Sequence, residues 1–185
     1  YRAVTLYAME NGMISANGDI DVPALVSKLP ELDIHFEYTP EGSHTYIGDR
    51  CVDSLIRTIE VSSHVSPISV LPEVRNFVDR KLVEYGKNKR IVMDGRDIGT
   101  SVFPNADLKI FMTADDNVRA ERRLKEMQAS GKAPDFEAVL KNLKERDYID
   151  SHRETSPLRK ADDAIVLDNS NMTMEDQMVW IRGLI

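Results

Sequence analysis

The sequence predicts an α/β protein built on a parallel sheet, and three observations carry that expectation. Ile91-Val92-Met93, Leu108–Met112 and Ala164–Leu167 are short, largely apolar runs without sustained polar alternation, the pattern of strands covered on both faces. Long stretches of helical periodicity separate them, and parallel strands require such crossovers. Hydrophobic residues make up 42% of the 185 and charged residues 30%, with no low-complexity tract, so the chain can bury a core. At roughly 100–200 residues per domain, this length accommodates one domain with an insertion or two small ones.

The elements follow in order. Tyr1, Val4, Tyr7, Ala8 and Met9 recur near helical spacing until Gly12, a stop signal. Asp21 ahead of Val22-Pro23 opens a second short helix, which Pro30 closes. Leu32, Ile34 and Phe36 alternate with Asp33, His35 and Glu37. Thr39-Pro40-Glu41-Gly42 is a turn, and a second alternating run follows from His44 to Gly48, so residues 31–52 predict an antiparallel hairpin. Helical character returns over Asp53–Ser66 and again after Leu71-Pro72, where Val74, Phe77, Val78 and Leu82 form a stripe ending near Gly86. Thr113 or Asp115 can cap a helix bearing Val118, Leu124 and Met127, which Ala129–Pro134 breaks. A second starts near Asp135 with Phe136, Val139, Leu140 and Leu143 turned inward, and Thr173 caps a last helix running through Met178 and Ile181. The helical pattern is already running at Tyr1, which is not Met, so a missing start is expected.

Charge and cysteine usage exclude whole classes. With 24 Lys and Arg against 31 Asp and Glu, the formal charge is −7, the wrong sign for gripping a nucleic-acid backbone. No apolar run approaches the roughly 20 residues that cross a bilayer. One cysteine cannot form an internal disulfide and no secretory signal opens the chain, which predicts a reducing, cytoplasmic setting. Cys51 reads as a packing residue. His35, His44, His64 and His152 show no metal-ligand spacing, the single cysteine is expected to rule out a thiolate zinc site, and no nucleophile elbow supports Ser-His-Asp catalysis.

Four constellations can carry chemistry. Asp94-Gly95-Arg96-Asp97-Ile98-Gly99-Thr100 follows the run Ile91–Met93 and so lies where an open parallel sheet receives ligands, although a polar loop with Arg96 paired to Asp94 or Asp97 explains it equally. Arg146, Asp150 and Arg153, at i, i+4 and i+7, fall within roughly 60° of one helix face. They suit either a phosphate and a sugar hydroxyl or a solvated face with ion pairs. Arg119, Arg122 and Arg123 with the Gly131-Lys132 break form a lid over polyphosphate or a surface balanced by Glu121 and Glu126. Ser66 and Arg75 flank Leu71-Pro72, where they read a base edge, or cap a helix and cover apolar surface. Basic residues gathered into arginine clusters against an acidic total point to a small phosphate-bearing ligand.

Asp94–Thr100 followed by Val102-Phe103-Pro104, then Leu108–Met112, Arg119-Ala120-Glu121-Arg122-Arg123, Arg146-Asp147 and Ser156-Pro157-Leu158, closely resembles bacterial cytidylate kinase, in order and over nearly the whole chain. Tyr1-Arg2-Ala3 resembles the segment after that family's Gly-Ala-aromatic sequence. The resemblance implies a P-loop nucleoside-monophosphate kinase fold with sheet order 2-3-1-4-5. Residues 1–27 and 89–185 would form the core domain, with a lid at about 122–160, and residues 28–88 the inserted monophosphate-binding domain. It implies transfer of the γ-phosphoryl group of ATP to CMP or dCMP with Mg²⁺. By matching position, Ser66, Arg75 and Asp97 read cytosine; Arg2, Arg96 and Arg153 hold the CMP phosphate; Arg146 and Asp150 meet the ribose; and Arg122, Arg123, Lys132 and Arg159 meet ATP. Arg96, Arg153 and Arg123 carry the catalytic role, and Asp94 holds a magnesium-bound water. Partners are small molecules, with no nucleic acid or membrane, and the chain is expected to be a monomer.

The family's Walker loop, Gly-x-x-x-x-Gly-Lys-Ser/Thr, does not occur in these 185 residues. The first strand and the phosphate cradle are therefore expected to be missing and the polypeptide inactive as it stands. A kinase for another monophosphate such as UMP, or a nucleotide-binding fragment without catalysis, are the alternatives.

Overall fold

The computed structural model describes residues 1–40, 42–87, 90–129 and 135–185. They form two compact units, Tyr1–Ile91 and Val92–Ile185. The first unit begins with α1 (Arg2–Glu10), which buries Ala3, Val4, Leu6 and Ala8 and is followed by Gly12 at φ +67, a left-handed turn that glycine adopts without a Cβ clash. In α2 (Val22–Lys28) the Asp21 carboxylate accepts the Ala24 amide at 3.0 Å and Pro23 sits in the first turn, as its sequence requires.

The expected hairpin is present and gains a third strand. Strands β1 (Ile34–Thr39) and β2 (Gly42–Ile47) pair antiparallel with Ile34 opposite Ile47, and β3 (Arg50–Cys51) pairs with β2 through Tyr46–Cys51 and Ile47–Arg50. Glu41 of the predicted turn lies outside the described residues. Cys51 is exposed rather than packed, because β3 is a two-residue edge strand with no layer over that side chain.

The helix expected over Asp53–Ser66 is two: α3 (Asp53–Ile56) and α4 (Ile59–Ser69), divided where the Thr58 hydroxyl takes the Val61 amide and starts a new helix. Helix α5 (Pro72–Gly86) buries the predicted stripe of Val74, Phe77 and Val78 against Val4, Ala8, Leu25, Leu29, Leu32 and Ile68, with Leu82 at its margin. A second cluster of Ala3, Leu6, Val52, Ile56 and Val61 packs α1 against α3 and α4.

The second unit holds the parallel sheet. Strands β4 (Ile110–Thr113) and β5 (Ile165–Asp168) run parallel in the register Ile110–Ile165 to Thr113–Asp168. Between them lie α6 (Asp116–Ala129), whose first turn is capped by Asp115, and α7 (Phe136–His152), capped by Asp135; α8 (Met174–Arg182) follows, with Thr173 and Asp176 forming a reciprocal capping box. Of the residues expected to face inward on α7, Val139 is buried and the others are partly covered.

Ile91–Met93 is not a strand, contrary to expectation. Val92 is 99% exposed, and a strand without a hydrogen-bonded neighbour has no ladder to hold it. Among the described residues the sheet therefore has two strands, and the apolar side chains of Met112, Ile165 and Val166 are exposed.

Candidate active site

After Ile91–Met93 the backbone carries Asp94 and Gly95 into a single π turn, Ile98–Val102, closed by the Phe103 amide on the Ile98 carbonyl at 2.7 Å. Such turns are rare and recur at functional sites. A Cβ on Gly95 would stand 3.3 Å from the Ile98 Cβ, so glycine is what permits the tight approach. The Asp97 carbonyl takes the Ser101 amide at 2.9 Å, and the residue is buried at the start of the turn.

From α7 come Arg146 and Asp150 on one face, with Arg153 immediately after. Asp150 is 3% exposed and is ion-paired from three directions, with Arg96 Nε beside Oδ2, Arg153 Nη1 at 3.6 Å from Oδ1 and Arg146 Nε at 3.8 Å from Oδ2. Arg153 also meets Asp97 at 3.4 Å and donates through Nε and Nη2 to the Ser156 carbonyl at 2.8 and 2.6 Å. Arg96 thus pairs with neither Asp94 nor Asp97 but with a carboxylate from a distant helix. Among the described residues three guanidinium groups face two carboxylates, with Asp97, Asp150 and Arg153 nearly buried and Arg96 and Arg146 about one-third exposed. Such an arrangement has the chemistry to orient an anion, since arginine matches phosphate oxygens in pairs.

Ser156, at φ +48, aims its carbonyl at Arg153, a supporting role that side-chain chemistry in the sequence could not reveal. Asp94 is exposed. The arginines of the expected lid make other contacts. Arg122 donates to the Asn169 side chain at 2.9 Å and to its carbonyl at 2.7 Å, and Arg123 pairs with Glu126 at 3.0 Å. Arg119 bridges to Asp147 of α7 and to Asp116, and the Asp147 hydrogen bond raises its already high pKa. Arg159 is exposed, and Lys132 lies outside the described residues.

The first unit contains a second polar group built along α4, on a face carrying Ser62, Ser66 and Ser69 at i, i+4 and i+7. Arg2 reaches from α1 to donate to the Ser62 hydroxyl at 2.8 Å and the Ile56 carbonyl at 2.9 Å. Arg75, 2% exposed, donates to the Ser69 carbonyl at 2.9 Å and lies 5.4 Å over the Tyr1 ring, while the Ser66 carbonyl accepts the Ser69 hydroxyl at 3.0 Å. Arg2, Ser66 and Arg75 therefore belong to one unit and Arg96, Asp97, Arg146, Asp150 and Arg153 to the other.

The cytidylate kinase family model matches residues 1–181. A cytidylate kinase of Bacteroides thetaiotaomicron is 53% identical over 184 residues, covering 98% of this chain and 80% of that protein. Cytidylate kinases of Phocaeicola vulgatus and Porphyromonas gingivalis are 50% and 48% identical, each over 98% of this chain and 80% and 79% of their own lengths. With this geometry and this likeness over nearly its full length, the chain belongs to the cytidylate kinase family.

Proposed function

We propose that the protein transfers the γ-phosphoryl group of ATP to CMP or dCMP, giving CDP or dCDP and ADP. One observation carries the residue-level reading: Arg96, Arg146 and Arg153 gather on Asp97 and Asp150 in a chain about half identical to cytidylate kinases. Cytosine differs from uracil by an exocyclic amino donor, which the Asp97 carboxylate accepts, whereas uracil offers an oxygen to the same group. Ser66 and Arg75 complete base recognition. Arg2, Arg96 and Arg153 hold the monophosphate, and Arg146 and Asp150 meet the sugar.

No general base is needed, because a monophosphate with a second pKa of about 6 is largely dianionic near neutral pH and is already a nucleophile. The work left to the protein is to hold two repelling anions in line and neutralise the charge that develops. Arg96 and Arg153 do this on the acceptor side, and Arg123, with Arg122, Lys132 and Arg159, on the ATP side. Mg²⁺ fits the donors present: Asp94 offers an exposed, hard carboxylate close in sequence to Arg96, and magnesium is commonly held by one or two carboxylates together with substrate phosphates. When bound, the ion neutralises charge on the ATP phosphates.

In this reading residues 1–27 and 89–185 act as the core domain, with a lid at about 122–160, and residues 28–88 as the monophosphate-binding insert. The sheet order is 2-3-1-4-5. The protein works as a cytoplasmic monomer; no described helix is long and apolar enough to cross a membrane. The test compares CMP, dCMP and UMP as phosphoryl acceptors at saturating ATP, alongside calorimetric titration of CMP. Preference for UMP overturns the Asp97 assignment.

A further inference from the structure

We propose that the three-stranded hairpin of the first unit carries a transition-metal site suited to Zn²⁺, formed by His44 Nδ1, Cys51 Sγ and an Asp53 carboxylate oxygen. The ligand atoms of these residues lie within 4.8 Å of one another. Sequence spacing hides the set, since it contains one cysteine and one histidine and each ligand comes from a different element. Register assembles it: Cys51 pairs with Tyr46 across β2–β3, and His44, two residues before Tyr46, projects from the same face of β2. Asp53 opens α3, and its Oδ1 is pinned by the Thr45 amide at 2.9 Å, which turns Oδ2 towards His44 Nδ1 at 2.9 Å.

The donor geometry suits a metal. The Thr45 amide occupies Asp53 Oδ1 and leaves Oδ2 as the oxygen that faces His44. His44 Nε2 lies 3.0 Å from Thr39 Oγ1; when Nε2–H donates to that hydroxyl, Nδ1 presents a lone pair to the Asp53 carboxylate. Nδ1 and Oδ2, 2.9 Å apart, are bridged by a single proton or by a metal ion in its place. A proton can fill that place, but the neighbouring sulfur adds a second negative ligand once deprotonated. A divalent ion bound by thiolate, carboxylate and neutral imidazole gives a neutral site with a coordination position open to water. Binding releases the thiol proton and any proton held between His44 and Asp53. Sulfur and nitrogen donors select Zn²⁺ or Co²⁺ over Mg²⁺. Thr39 orients the imidazole from behind, as outer-sphere partners of metal-bound histidines do. The site is independent of the CMP kinase reading.

The experiment titrates Co²⁺ into the untagged, metal-free chain and follows the thiolate-to-cobalt charge-transfer absorption. The expected result is a band that saturates at one ion per chain, is displaced by Zn²⁺ and disappears in Cys51→Ser. His44→Ala and Asp53→Asn should bind at least about tenfold more weakly, and Thr39→Val about tenfold. Zn²⁺ should raise the thermal midpoint of the wild-type chain and not that of Cys51→Ser, a substitution at an exposed position whose fold is checked by circular dichroism. Absence of the band in excess Co²⁺, its persistence in Cys51→Ser, saturation at one ion per two chains, or an equal midpoint rise with Mg²⁺ overturns the proposal.

Discussion

Arg153 shows how a single residue joins structure to chemistry. Its guanidinium touches Asp97, Asp150 and the Ser156 carbonyl, so the loop after Met93, the end of α7 and the following turn are positioned together. Asp150 is the counterweight. Asp150→Ala leaves Arg153, whose side chain is 7% exposed, with less than its charge requires, and should lower stability by about 3 kcal/mol in urea denaturation. Asp97→Asn should reduce kcat/KM for CMP by about a hundredfold or more, because an amide turned the wrong way leaves the cytosine amino group opposed, while the KM for ATP changes little. Arg123→Ala should do the reverse. Steady-state kinetics with each substrate varied separates the two, and equal losses on both substrates would contradict the assignments. At this scale part was legible in advance: spacing alone puts Arg146 and Asp150 on one helix face, while Arg153 falls at the C-cap just past His152. The partner of Arg96 was not legible, because it lies on α7, far along the chain.

At the scale of elements, α4 and α7 use the same device: three polar residues at i, i+4 and i+7, Ser62, Ser66 and Ser69 on one and Arg146, Asp150 and Arg153 on and just beyond the other. Helix starts are equally local. The caps at Asp21, Asp135 and Thr173 were predictable because each side chain bonds an amide three residues on. Thr173→Ala should cost about 1 kcal/mol in denaturant titration. Asp176 in the same capping box has its pKa lowered by the Thr173 hydroxyl and then by the backbone amide. The sign follows from that direction: its contribution is present above the unfolded value of about 3.9 and is lost as pH falls through the lower folded value. Thermal midpoints measured between pH 5 and pH 2 should fall with acid, and should fall less in Asp176→Asn. Spacing did not reveal the break at Thr58, since the apolar pattern continues across it and only the hydroxyl on the Val61 amide marks the new start.

For the whole molecule, burial is concentrated in the first unit, where Leu25, Ile68 and Val74 are completely enclosed, while Val92 in the second is almost fully in water. Leu25→Ala should therefore lower stability by about 2–5 kcal/mol and Val92→Ser by no more than about 0.5 kcal/mol, both read from denaturant midpoints. The contrast explains what the sequence got wrong about Ile91–Met93. Its apolar composition is that of a buried strand, but a strand exists only through hydrogen bonds to a neighbour, and none of the described strands supplies them. The hairpin succeeded for the opposite reason: its partner strand is the next segment of chain, within reach of local turn rules. The sequence by itself determined the helix caps, the hairpin, the parallel character of the sheet and the helix face bearing Arg146 and Asp150, all of which depend on periodicity or on contacts a few residues apart. Only the tertiary structure decided that Arg96 meets Asp150, that Arg122 grips Asn169 and that Cys51 stands exposed beside His44 and Asp53. Those pairings join segments whose approach is set by core packing and strand register, and residue order alone carries no measure of either.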